Sequence, residues 1–254
     1  MTILQSIVLG IIEGVTEFLP VSSTGHLILA TRTLGIESTP FVESFTITIQ
    51  VGALIAILFL FTKRIIQNWD LMKNIALAFI PTAIIGIALY PFIKEFLLGN
   101  TYVVVYSLLF GGILIILFEI WFKRRSQSEP KEITTKNAIL LGVFQTLAFI
   151  PGVSRSGAMI IGGLSIGIAR KNVVEFSFLL GIPTLIAASG LDLVKTGFTF
   201  SSNEWMLLGL GFISAFVSAL FAVKIFIRFI ENNNFIGFGI YRILLALVFL
   251  FFVL

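Results

Sequence analysis

The chain has no cysteine, a single histidine and few charges. Without cysteine, disulfides and thiolate metal sites are excluded, and cysteine usage says nothing of the redox compartment. Charged residues fill 12% of the 254 positions, where a globular domain carries about a quarter. With 57% hydrophobic residues and a mean hydropathy of +1.07, the chain reads as an integral membrane protein. The net charge of +4 is spread too thinly for nucleic acid binding and serves better to orient the chain in a membrane. Basic residues are also missing ahead of the first apolar run, and Glu13 and Glu17 fall inside that run. Both features argue against a cleaved signal peptide.

What the chain does have is apolar runs of membrane length. Six are expected to cross, over about 41–62, 74–92, 102–122, 172–193, 205–223 and 235–254, since a bilayer core takes about 20 residues of helix. Asn172, with Glu175 three residues on, resembles a cap opening the fourth. Two other runs, 1–34 and 137–169, are broken by Pro20 and by Pro151-Gly152. Each reads as a helical hairpin that enters and leaves by one face, buried among other helices because its bent backbone needs protein or water around it. The polar stretch 123–136 is the one clear linker. Lys63-Arg64 and this linker are assigned to the cytoplasm, whose loops are enriched in Lys and Arg. Lys224, Arg228 and Arg242 read as anchors or snorkelling side chains.

The two broken runs echo each other. One constant shift in numbering carries Gly10 onto Gly142, Glu13 onto Gln145, Ser22 onto Ser154, Thr24 onto Ser156 and Gly25 onto Gly157. Each half, 1–122 and 137–254, then holds one hairpin and three crossings. An odd number of crossings inverts the second half, so the two tips can meet near the midplane. The fold expected is an all-α membrane protein, one polytopic domain built from two inverted-topology repeats, each a re-entrant hairpin plus three transmembrane helices. Transporters share this plan, so a transporter or flippase of lipid phosphates stands as the alternative to an enzyme.

Chemistry-bearing residues concentrate in the two tips. Glu13 and Glu17 are four residues apart and share a helix face. Together they call for a proton or a hard divalent cation such as Mg2+ or Ca2+, which could also bridge to phosphate oxygens; the plainer alternative is a polar face lining a watery vestibule. His26 has the ring whose ordinary pKa suits proton transfer near neutrality. It follows Ser22, Ser23 and Thr24, any of which could be a nucleophile with His26 as base or acid, or simply a helix cap. Arg155 in Gly152-Val-Ser154-Arg-Ser156-Gly157 stands before a helical stretch, where a guanidinium and free N–H groups suit phosphate. It could equally neutralise Glu13 or Glu17.

At these residues the chain resembles the undecaprenyl-diphosphate phosphatase family of the bacitracin-resistance type. The resemblance is carried by Glu13-Gly-Val-Thr-Glu17-Phe-Leu-Pro-Val-Ser22-Ser-Thr-Gly-His26, Ile49-Gln50-Val-Gly52, Pro151-Gly-Val-Ser-Arg155-Ser-Gly157, Glu175-Phe-Ser-Phe-Leu-Leu180 and Ile240-Tyr-Arg242. It implies hydrolysis of a polyprenyl diphosphate to the monophosphate and inorganic phosphate, with a divalent cation, at the outer side of the cell membrane. It places an acidic pair that holds metal on Glu13 and Glu17, an essential serine on Ser23, a histidine on His26 and phosphate binding on Ser154 and Arg155. Ser22, Thr24, Gly25, Gln145, Ser156 and Gly157 complete the expected substrate site. Expected partners are the polyprenyl diphosphate and membrane lipids, with a homodimer compatible and no nucleic acid. Two departures stand out: Met159 where the second motif usually has threonine, and Thr46 where a glutamate usually precedes Gln50.

Overall fold

A computed structural model describes residues 1–97, 100–124, 131–196 and 200–252, the side chains of 94, 191–196 and 252 excepted. Most of the expected linker, with Pro130, lies outside the described residues. The described chain is helical, apart from an isolated bridge between Lys131 and Ile168. Its α-helices are α1 Ile3–Thr16, α2 Ser23–Thr33, α3 Pro40–Gln67, α4 Trp69–Phe92, α5 Thr101–Arg124, α6 Thr135–Gln145, α7 Arg155–Ser165, α8 Arg170–Thr196, α9 Ser202–Ile230 and α10 Ile236–Phe252.

Local chemistry sets most boundaries. Thr2 caps α1 with Gln5 in a reciprocal box, Thr39 caps α3 ahead of Pro40, and Ser201 with Glu204 boxes the start of α9. The cap expected at Asn172 is not formed. The helix begins earlier, at Arg170, because Gly167 turns the chain at φ +89° and releases it straight into α8. Glu175 instead faces Arg64 of α3 as an ion pair.

Five helices, α3, α4, α5, α8 and α9, are long and apolar enough to cross a membrane. The sixth expected crossing corresponds to α10, whose 17 residues span about 25 Å at the α-helical rise. That is short of a bilayer core of about 30 Å. Large apolar side chains such as Ile84, Ile87, Phe110, Leu117, Ile213 and Phe221 stand on the outside of the bundle, as a protein solvated by lipid requires.

The element order of α1–α5 recurs in α6–α10, and the packing partners exchange with it. α1 and α3 pack on α9, α6 and α8 pack on α4, while α3 meets α8 and α5 meets α10. Close approach in both cases rests on a glycine. A Cβ on Gly10 would overlap the carbonyl oxygen of Gly211 in α9, and one on Gly142 would overlap that of Ala78 in α4. In the shared core, Phe18 is fully buried and meets Phe178 of α8 edge-on at 5.3 Å, and Phe178 also packs on Phe61 and Phe226. The residue next to Glu17 is thereby fixed to the centre of the bundle.

Candidate active site

Two bent connections, 17–22 between α1 and α2 and 146–154 between α6 and α7, come together in the interior. Each ends in a serine with backbone in the left-handed region, Ser22 at φ +69° and Ser154 at φ +77°. Among the described residues these are the non-glycine positions with positive φ. Such strain persists where surrounding contacts over-determine it, and functional sites are where it collects. Each serine caps the helix that follows: Ser22 Oγ accepts from Gly25 N at 3.3 Å, Ser154 Oγ from Gly157 N at 3.2 Å. Ser23 and Arg155, which the internal repeat makes equivalent, are therefore the first residues of α2 and α7. Two helix N-termini, each with free N–H groups and a positive dipole end, meet at one place.

The tips are tied to each other. Arg155 Nη2 donates to Glu17 Oε1 at 2.8 Å, and Ser156 Oγ donates to Leu19 O at 2.7 Å. The larger tie is Arg242 of α10, only 1% exposed. It donates to Pro20 O of the first tip (3.2 Å), to Gly152 O and Val153 O of the second (2.8 and 2.9 Å), and to Ser107 O and Leu108 O of α5 (2.9 and 3.4 Å). Arg242 is thus neither an interfacial anchor nor a snorkelling side chain. Bent backbone inside a membrane leaves carbonyls without partners, and a planar five-donor group is the side chain that serves several at once.

A cavity of about 210 Å³ opens between the tips. Glu17, Ser22, Ser23, Thr24, Gln145, Ser154 and Arg155 line it together with Gln50, Thr82 and Thr184, and Ala148, Phe149, Pro151 and Leu185 add apolar lining. Glu17 is at its centre of charge: one oxygen holds Arg155 and the other accepts the hydroxyl hydrogen of Ser23. Arg155 Nη1, buried against Gly181 of α8, has no hydrogen-bond partner. Glu13, fully buried one helical turn before Glu17, has no hydrogen bond to either oxygen. Two carboxyls beside one guanidinium leave a negative charge to be matched by a proton or a cation.

Other expected site residues stand differently. Gly25, Ser156 and Gly157 shape the tips without lining the cavity. His26 also stays off its wall: Nδ1 is 2.7 Å from Ser22 O and Nε2 is 2.7 Å from the Tyr241 hydroxyl. Ser23 is thus held by Glu17 and not by the histidine. Gln145 donates both amide hydrogens, to Thr82 Oγ1 (2.9 Å) and Thr184 Oγ1 (3.1 Å), and its carbonyl oxygen is unpartnered. Met159, in place of the usual threonine, is buried in the core, and Thr46 Oγ1 donates to Glu43 O, away from the cavity. Thr82 and Thr184 escape sequence reasoning, and Gln50, Tyr241 and Arg242 enter it only within the stretches that carry the resemblance, with no place in the site. An arginine inside the last apolar run was the available signal for Arg242, whereas isolated threonines in apolar helices give none.

The whole chain finds its like among known proteins. Residues 6–248 match the family model described as Bacitracin resistance protein BacA. A protein of Aquifex aeolicus called undecaprenyl-diphosphatase is 49% identical over 250 residues, 98% of both chains. Proteins of the same description are 48% identical in a Sulfurihydrogenibium species, over 98% of both chains, and 47% identical in Persephonella marina, over the full length of both. With a family model spanning nearly all of it and relatives so similar end to end, the chain belongs to the BacA bacitracin resistance family.

Proposed function

We propose that the chain is a membrane phosphatase of polyprenyl diphosphates, undecaprenyl diphosphate foremost, the substrate in its relatives' name. The observation that carries the reading is the convergence of two helix N-termini and the Arg155 guanidinium on a cavity that also holds a serine hydroxyl bonded to a carboxylate. Helix N-termini and guanidinium bind phosphate oxygens. A diphosphate headgroup meets the polar lining of the cavity, and Ala148, Phe149, Pro151 and Leu185 offer apolar contacts to the start of its isoprenoid.

The contacts support one course for the reaction. Ser23 Oγ attacks the terminal phosphorus, its proton passes to Glu17 Oε2, and the bond from that phosphorus to the bridging oxygen breaks, releasing the lipid monophosphate. Water then takes the phosphoryl group from Ser23 to give inorganic phosphate. Arg155 and the N–H groups of α2 and α7 stabilise the charge on the moving phosphoryl oxygens, the main source of catalysis in such transfers.

Glu13 and Glu17 fit a divalent cation, because Glu13 brings two buried oxygens that have no donor. No cluster of three or more acidic, His or Cys side chains occurs among the described residues, so Glu13 and Glu17 would hold the cation as a two-carboxylate site, the kind that suits Mg2+. When bound, the cation supplies charge neutralisation at the diphosphate.

The exchange of partners between halves, and the pair of glycine contacts at Gly10 and Gly142, support two inverted repeats with re-entrant hairpins. Basic residues gather where α3, α5 and α9 end and α8 begins: Lys63, Arg64, Lys123, Arg124, Lys224, Arg228, Arg170 and Lys171. By the positive-inside rule that end is cytoplasmic. Gln50, Thr82 and Thr184 sit past the middle of their helices away from it, which supports a cavity facing the extracytoplasmic side. The test is phosphate release from a polyprenyl diphosphate by the purified protein, with acid-quench detection of phosphoserine. Full turnover by Ser23→Ala, Glu17→Gln or Arg155→Ala would sink the site, and turnover with no phosphoserine would assign the attack to water.

A further inference from the structure

With Glu17 taking the Ser23 proton, the chain's only histidine has no part in the transfer, though it stands three residues after Ser23. Its hydrogen bonds show what it does instead. Nδ1 faces the Ser22 carbonyl, which accepts and cannot donate, so Nδ1 carries a hydrogen. Nε2 of the neutral ring is then an acceptor, and the Tyr241 phenol donates to it. The two rings lie nearly parallel, at 9° with centroids 5.6 Å apart, so the tyrosine fixes the plane of the imidazole as well as its second nitrogen.

The carbonyl held in this way belongs to the residue at φ +69°, and it also accepts the backbone N–H of His26 at 3.1 Å. One residue thus fastens the strained cap with two bonds, on the residue whose neighbour carries the attacking hydroxyl. The helix that carries Tyr241 also reaches the other end of the turn, where Arg242 holds Pro20 O. We propose that His26 and Tyr241 form a positioning pair that carries no proton to or from substrate: Tyr241 orients the imidazole, its Nδ1–H holds the Ser22 carbonyl, and the strained turn keeps Ser23 Oγ on Glu17. This rests on the reading of Ser23 as the nucleophile.

Asparagine places a side-chain N–H near the position of Nδ1 but cannot exchange a proton at neutral pH, so His26→Asn separates holding from shuttling. Under the proposal, His26→Ala lowers kcat by about a hundredfold, the order expected for a misplaced reacting group. His26→Asn and Tyr241→Phe each lower it by about tenfold, the factor one net hydrogen bond is worth, with KM nearly unchanged. His26→Asn as inactive as His26→Ala, with both melting like wild type, would assign the ring to proton transfer and overturn the proposal. A second readout needs no substrate. In protein labelled with 15N-histidine a single imidazole is observed, with Nδ1 protonated and Nε2 bare, and the Nδ1 proton exchanges faster in Tyr241→Phe. A bare Nδ1 in wild type, or no change in Tyr241→Phe, overturns the pair. A fully active Ser23→Ala would overturn the nucleophile alone, because the imidazole spectrum tests the pair without turnover.

Discussion

Replacing Arg242 by lysine keeps the charge and most of the volume while removing the fork. The guanidinium serves five carbonyls from three segments, and an ammonium has three donors on one atom. At least two carbonyls therefore lose their partner. At about 1.5–3 kcal/mol for each hydrogen bond to a charged group, the loss is about 3–6 kcal/mol, a large share of a typical stability of about 5–15 kcal/mol. For a chain of this size that lowers the melting temperature by about 6–24 °C. The freed carbonyls belong to both tips, so Ser23 and Arg155 also drift apart, and a displacement near 1 Å costs about a hundredfold in rate. Arg242→Lys should be followed by thermal unfolding in detergent and by phosphate release at a temperature where it is still folded. Wild-type melting and wild-type kcat together would show that the tips hold themselves, and the clamp would be discarded.

Glu13→Gln removes a buried carboxyl whose oxygens have no donor, so it should raise the cation concentration for half-maximal activity by about tenfold or more, one ligand's worth, without lowering the cation-free melting temperature. Calorimetric cation titration checks it. Ser22→Ala loses a cap worth about 1 kcal/mol and keeps a Cβ at positive φ. Ser22→Gly loses only a few tenths, so the glycine variant should melt above the alanine variant; the reverse order would mean that Ser22 is unstrained. At the basic end, Arg170 of α8 pairs with buried Glu119 of α5, which also accepts Phe235 N at the start of α10. Glu119→Gln should cost about 2–4 kcal/mol, somewhat under the range for a fully buried pair because Arg170 is partly exposed. Its kcat at low temperature should stay near wild type.

The first tip was legible because its residues conflict with their surroundings. Carboxyls and a histidine in an apolar run demand a reason, and Pro20 with the following hydroxyls marks where the helix breaks. The echo between Ser22 and Ser154 was legible in the numbering, and the structure adds that both are helix caps at positive φ. Two things could not be read. The partner of a hydroxyl is set by distance and not by sequence separation, so Ser23 goes to Glu17, six residues back, and the histidine's nitrogens go to Ser22 and to Tyr241, far along the chain. Arg242 resembles any interfacial basic residue until the bent backbone around it is seen.

The two halves share a scaffold but divide its chemistry, and the geometry gives the reason. Both tips deliver a helix N-terminus to one cavity, and paired N-termini suit an anion. Had the acids been repeated, four carboxyls would surround it and repel the diphosphate it collects. The second half instead carries Gln145 where the first has Glu13 and Phe149 where the first has Glu17. Both line the cavity without charge. At the position where the first tip offers a hydroxyl, Ser23, the second offers the guanidinium of Arg155. In the proposed reaction one half furnishes the nucleophile with its base and the other the charge that draws phosphate against it. Glu17 is where the halves meet, since one of its oxygens serves each.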